Sequence, residues 1–166
     1  MMEKLETVVA DVSSNRSEVI EKLITFSGLD MLLFWGEDKD LILREKKLWQ
    51  PILEWASGDL KTDIKTSKSF DAPRQSGDTG KGLARFLAGL TDKELACFYL
   101  VSMKLKSFLL AAAFIREAFS IEKIMHAAFL EEEFQEEVWG KKDDVRSNFE
   151  AVKKELEEIK AFLERR

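Results

Sequence analysis

Gly77-Asp78-Thr79-Gly80-Lys81-Gly82 is a glycine-rich stretch carrying a lysine, the kind of turn whose backbone amides and ammonium group can hold a phosphate. That chemistry needs a further glycine separated by four residues from the Gly-Lys pair, and a Ser or Thr directly after the pair to bind magnesium. Gln75 and Gly82 stand at those positions, and no apolar strand runs directly into the stretch. It reads as a flexible connection, and no cofactor is expected.

His126 is the only histidine and Cys97 the only cysteine. Ferritin-like metal sites use two Glu-x-x-His units on different helices. One histidine cannot supply them, and Glu122 precedes His126 by four residues, not three. A Ser-His-Asp or Cys-His nucleophile would also need His126, and nothing around Cys97 marks an activated thiol. A lone cysteine excludes an internal disulfide and a cysteine-based zinc site, and fits a reducing compartment. No metal site is expected, and His126 reads as a partly buried polar or surface side chain.

Glu131, Glu132, Glu133, Glu136 and Glu137 are the densest chemistry-bearing group. On a helix, adjacent side chains diverge by about 100°, so these carboxylates cannot all serve one site. Glu133 and Glu137 share one face, and Glu132 and Glu136 another. The group can be a solvated face, an acidic surface for a basic partner with Phe134 and Trp139 as apolar anchors, or the acid-base pair of a small enzyme. The residues alone favour the solvated face.

The composition narrows the classes further. Hydrophobic residues at 45% and charged residues at 34% are globular values. The net charge of -5 argues against a broad phosphate-binding surface, so no nucleic-acid partner is expected. The start of the chain alternates acidic and apolar residues, unlike a secretory signal or an Arg-rich transit peptide. The longest apolar run, Ser107 to Ile115, falls far short of the roughly 20 residues of a membrane span, so no membrane insertion is expected.

The elements that would position these residues are mostly helices. Asn15 and Glu18 have capping-box spacing, followed by an apolar face of Val19, Ile20, Leu23 and Ile24. Met31-Leu32-Leu33-Phe34-Trp35, bounded by Gly28 and Gly36, reads as a buried strand. Asp38 or Asp40 opens a helix, and Pro51 interrupts it or begins another. Leu60 to Ser67 reads as a second strand, parallel to the first across a crossover helix. Phe70 to Gly82 reads as a loop. Thr91 and Glu94 form a second capping box, opening the most apolar helix, over roughly 92–119. Within it, Lys104 and Lys106 diverge by about 200°, so at least one reaches a groove or the surface. Ser120 caps a helix ending near Trp139-Gly140. Val145, Phe149, Val152, Leu156, Ile159 and Leu163 then form a narrow stripe, expected to pack on the chain's own body or, in an adaptor protein, on another chain. The four tryptophans read as core, not as a cofactor box. The fold class expected is mainly α, a helical domain with a small two-stranded β element.

Three stretches, in their order and separations, resemble the F1-ATP synthase alpha-subunit assembly chaperones of the mitochondrial and alphaproteobacterial type. They are Leu32-Leu33-Phe34-Trp35 with Trp49-Gln50-Pro51-Ile52-Leu53-Glu54-Trp55-Ala56, the apolar run Leu95 through Ala113, and Leu130 through Gly140 with its acidic stretch, Phe134-Gln135 pair and Trp139-Gly140. The resemblance implies a chaperone, not an enzyme, that binds unassembled alpha subunit and shields the surface later covered by beta. It implies a bacterial cytoplasmic location, or the mitochondrial matrix in a eukaryote. Carried over by position, Glu132, Gln135, Trp139 and Gly140 match the family's characteristic residues, and Glu133 joins them as a candidate partner contact. Members also carry a strand-rich N-terminal domain that nothing here resembles. Residues 1–166 are therefore expected to be the single helical C-terminal domain, with the oligomeric state left open. The small residues typical of the family's long helix are partly replaced by Leu105 and Lys106.

Overall fold

The computed structural model describes residues 2–67, 73, 75 and 77–165. Ten α-helices form among them: α1 Met2–Ser14, α2 Arg16–Ser27, α3 Lys39–Leu48, α4 Gln50–Asp59, α5 Gly77–Ala88, α6 Asp92–Leu105, α7 Phe108–Ile115, α8 Ile121–Ala128, α9 Leu130–Trp139 and α10 Asp143–Glu164. A 3-10 turn spans Met31–Leu33.

The centre is α7, whose residues Phe108 to Phe114 are all buried. Three successive alanines, Ala111 to Ala113, let its neighbours approach closely, and α6, α4, α8 and α2 pack around it. A helix start buried this deeply leaves amide donors with no water to satisfy them. Ser107 Oγ accepts from Leu110 N–H at 3.0 Å, and Asp30 Oδ2 accepts from Leu109 N–H at 2.7 Å. This cap corrects the expectation of one helix over 92–119. Lys106 adopts a left-handed conformation (φ 56°, ψ 34°), and Ser107 restarts the chain as α7.

The two-stranded β element is absent among the described residues. Asp30 Oδ1 accepts from Leu32 N–H at 2.9 Å and draws Met31–Leu33 into a 3-10 turn. What remains is one parallel bridge between Phe34 and Ser67, with Ser67 N–H donating to Leu33 O and Trp35 N–H to Ser67 O.

The expected loop over 70–82 is helical from Gly77 onward, while Phe70, Asp71, Ala72, Arg74 and Ser76 lie outside the described residues. Thr79 is buried and donates to Asp63 O at 3.0 Å. Gly82 packs so closely on the preceding segment that a Cβ there would sit 2.8 Å from Leu60 O. The motif's Lys81 and Gly82 thus belong to packed helix, not to an open phosphate cradle.

The two capping boxes have different outcomes. Thr91 and Glu94 form theirs: Thr91 Oγ1 accepts Glu94 N–H at 3.1 Å, and Glu94 Oε1 accepts Thr91 N–H at 2.9 Å. Asn15 forms none, and its side-chain amide donates to Asp11 O in the preceding helix. Arg16 anchors this corner instead, pairing with Asp92 at 2.8 Å and donating to Leu90 O at 2.6 Å at the end of α5.

α10 packs against α6, α8 and α1 of its own chain through Phe149, Leu156, Ile159 and Phe162. Phe162 takes the buried place expected of Leu163, which is half-buried. Lys104 reaches out of α6 to pair with Glu155 of α10.

Candidate functional site

The acidic stretch belongs to α9. Phe129, with φ −104° and ψ 18°, separates it from α8, so the single helix expected after Ser120 is two. One side of α9 is tied to the body. Leu130 is buried, and Arg44 of α3 places its guanidinium over the Phe134 ring, 5.1 Å from the centroid, while pairing with Glu137. That hydrogen bond holds the Glu137 carboxyl below the usual carboxylate range.

Glu133 lies on the same side. His126 Nδ1 of α8 is 2.8 Å from Glu133 Oε1. An ionised carboxylate only accepts, so Nδ1 carries the proton. The other ring nitrogen lies 3.6 Å from Glu122 Oε2, and Glu122 pairs with Lys153 of α10. The lone histidine therefore joins helices, with its ring tilted 41° against Phe149 at 5.5 Å.

The opposite side of α9 carries Glu132, Gln135, Glu136 and Trp139, within an arc of about 100°. Glu132 and Gln135 are exposed, with no side-chain hydrogen bond or ion pair among the described residues. Glu136 is half-buried and accepts from Lys142 N–H at 3.4 Å. Trp139 is 81% exposed, so it does not pack the helix end, and neighbouring Val138 is 56% exposed. Gly140 closes the helix at φ 99° and ψ 158°, a backbone that strains any residue with a Cβ.

Four of the five predicted contact residues, Glu132, Gln135, Trp139 and Gly140, thus lie on or beside one open face. The fifth, Glu133, is turned inward to His126. Arg44 was not singled out by the sequence: its partner Glu137 lies 93 residues away, beyond any local pattern.

Between α3 and α9 lies a cleft of about 340 Å³ lined by Arg44, Lys47, Leu48, Leu130, Glu133 and Glu137. Glu131, whose carboxyl is pushed up by partial burial and then by Glu132, does not line it. Burial also raises Glu45 of α3, which Glu131 raises further, while both Glu45 oxygens accept from Gly36 N–H at 3.0 and 3.1 Å. The two carboxylates with opposed shifts, Glu131 and Glu137, therefore do not share this cleft. Among the described residues no three His, Cys, Asp or Glu side chains gather as a metal site, and no helix is long and apolar enough to cross a membrane.

A mainly helical body with one acidic, tryptophan-bearing face is the class of structure at hand. No family model matches the sequence. Solved structures share the fold. A single-substitution mutant of Atp12p from P. denitrificans superposes with a TM-score of 0.87 at 19% identity, covering 94% of this chain and 67% of that one. Atp12 from Paracoccus denitrificans gives 0.84 at 18% identity, with the same coverage. Atu1473 from Agrobacterium tumefaciens, described as a candidate chaperone, gives 0.84 at 21% identity over 95% of this chain and 61% of that one. At these identities the likeness is one of fold.

Proposed function

We propose that residues 1–166 form a helical chaperone domain for ATP synthase assembly, acting without catalysis in the bacterial cytoplasm or the mitochondrial matrix. Its client is unassembled F1 alpha subunit, and it shields the surface that beta later covers. The observation that carries this reading is the outward α9 face, where Glu132 and Gln135 have no side-chain partner among the described residues and Trp139 is 81% exposed, on a fold shared with Atp12. A largely exposed indole is costly to leave in water, and tryptophan is among the residue types enriched at binding hot spots.

In this reading Glu132 and Gln135 make polar contacts with the client and Trp139 inserts as the apolar anchor. Gly140 ends the helix so that Trp139 stands at its edge. Glu133, although on the tied side, orients the face through His126. Apolar burial at Trp139 and Val138 supplies affinity, and the carboxylates bias the choice of partner. The test is a pull-down with separately purified alpha and beta subunits. Retention of alpha but not beta supports the client assignment, and equal retention of both, or of neither, rejects it.

A further inference from the structure

The cleft between α3 and α9 has an apolar lining, Leu48 and Leu130, and charged groups at its walls. Most of that charge is already engaged: Arg44 pairs with Glu137, and Glu133 bonds to His126. Lys47 is left, with no ion pair or side-chain hydrogen bond among the described residues. On the exposed side of α3 it is one of three such lysines. Lys39 stands four residues before Leu43, Lys46 three after and Lys47 four after, so the three surround it on the helix surface. Leu43 itself is 64% exposed. We propose that this basic, leucine-centred face of α3, with the adjoining cleft, docks an acidic amphipathic helix of a protein partner.

Helix stability explains only part of this face. Lys46 and Lys47 lie in the last turn of α3, where the helix dipole favours cations. Lys39 lies in the first turn, where the dipole disfavours them. The chain also carries a formal net charge of -5, so a group of unpaired cations on one face reverses the sign of the whole. Asp40 is the acidic residue on this side, and it acts on Arg44. The spacing indicates the form of the partner. Lys39 and Lys47 are about 12 Å apart along the helix axis, with Leu43 midway between them. A partner helix with carboxylates two turns apart and a leucine between them presents the complementary pattern. Nucleic acid does not fit, because Glu133 and Glu137 line the cleft and repel a phosphate backbone.

This face is distinct from the outward side of α9, and its test uses no alpha subunit. The probe is a fluorescein-labelled helical peptide of about four turns, built from Glu, Ala and Leu in that pattern. A peptide of the same composition with the pattern scrambled is the comparison. Anisotropy titrations against residues 1–166 should show tighter binding of the patterned peptide, weakening as salt rises. The double variant Lys39→Glu, Lys47→Glu should bind it at least about tenfold more weakly. Lys22→Glu, at an exposed position of α2, should stay within about twofold of wild type. Circular dichroism should show both variants folded. No binding, equal binding of the two peptides, or unchanged affinity in the double variant would overturn the proposal. Loss of thermal stability in the double variant without loss of peptide affinity would also overturn it, assigning the lysines to α3 alone. So would self-association of wild type that the double variant abolishes, seen by light scattering, which would assign the face to a second copy.

Discussion

Asp30 Oδ2 accepts the amide hydrogen of Leu109 at 2.7 Å across 79 residues of chain, and its second oxygen accepts from Leu32 at 2.9 Å. One fully buried carboxylate thus caps two elements at once, the 3-10 turn and the start of the central helix α7. Asp30→Ala leaves two buried donors without their acceptor and is expected to cost about 2–4 kcal/mol, read by urea unfolding.

The same group makes stability depend on pH. Burial, working against the hydrogen bonds it accepts, pushes the Asp30 carboxyl from 3.8 up to about 6. The folded state therefore holds this proton more tightly than the unfolded chain. Its contribution is fully present below about pH 4 and is lost as pH rises through 6, a swing on the order of 3 kcal/mol. In urea titrations from pH 4 to 7, wild-type stability minus that of Asp30→Asn should fall with rising pH. A flat difference would contradict the assignment.

Two serines five residues apart should respond in opposite ways. Ser107 caps α7, so Ser107→Ala is expected to lose about 1 kcal/mol. The buried hydroxyl of Ser102 has no hydrogen-bond partner among the described residues. Ser102→Ala should be neutral, or raise stability by up to about 1 kcal/mol. Thermal unfolding of the two variants separates the cases.

Two glycines of the former phosphate-loop candidate give a similar contrast. A methyl at Gly82 would meet the backbone oxygen of Leu60 at 2.8 Å, so Gly82→Ala should cost about 1–3 kcal/mol. A methyl at Gly80 meets nothing within 4 Å, and Gly80→Ala should stabilise α5 by about 0.5–1 kcal/mol.

Cys97 is 1% exposed, and burial pushes its thiol up to about 12. It should resist a disulfide reagent at pH 8 in the native protein and react once the chain is unfolded.

Local chemistry was legible where nothing distant competed with it. The Thr91–Glu94 box formed because both partners lie within one turn, whereas Asn15, with identical spacing, follows α1 directly and bonds back to Asp11. The run Met31 to Trp35 has a strand's length and polarity, but a side chain just outside it, Asp30, decided its shape. Ser107 could have signalled the break in the long helix, since a serine can cap a new start. At the candidate site, periodicity correctly put Glu132 with Glu136 and Glu133 with Glu137 on separate faces. Which face turns outward depended on His126 and Arg44, and the Arg44 contact joins helices 93 residues apart.

The central claim is that the outward face of α9 binds alpha subunit. Its most direct test is the affinity of purified alpha subunit for wild type and for Trp139→Ala, with Leu29→Ala as a comparison. Leu29 is also well exposed, at 64%, but lies outside α9. A hot-spot tryptophan predicts at least about a tenfold loss for Trp139→Ala, with Leu29→Ala close to wild type. Equal affinity for wild type and Trp139→Ala, with the variant folded, would contradict it.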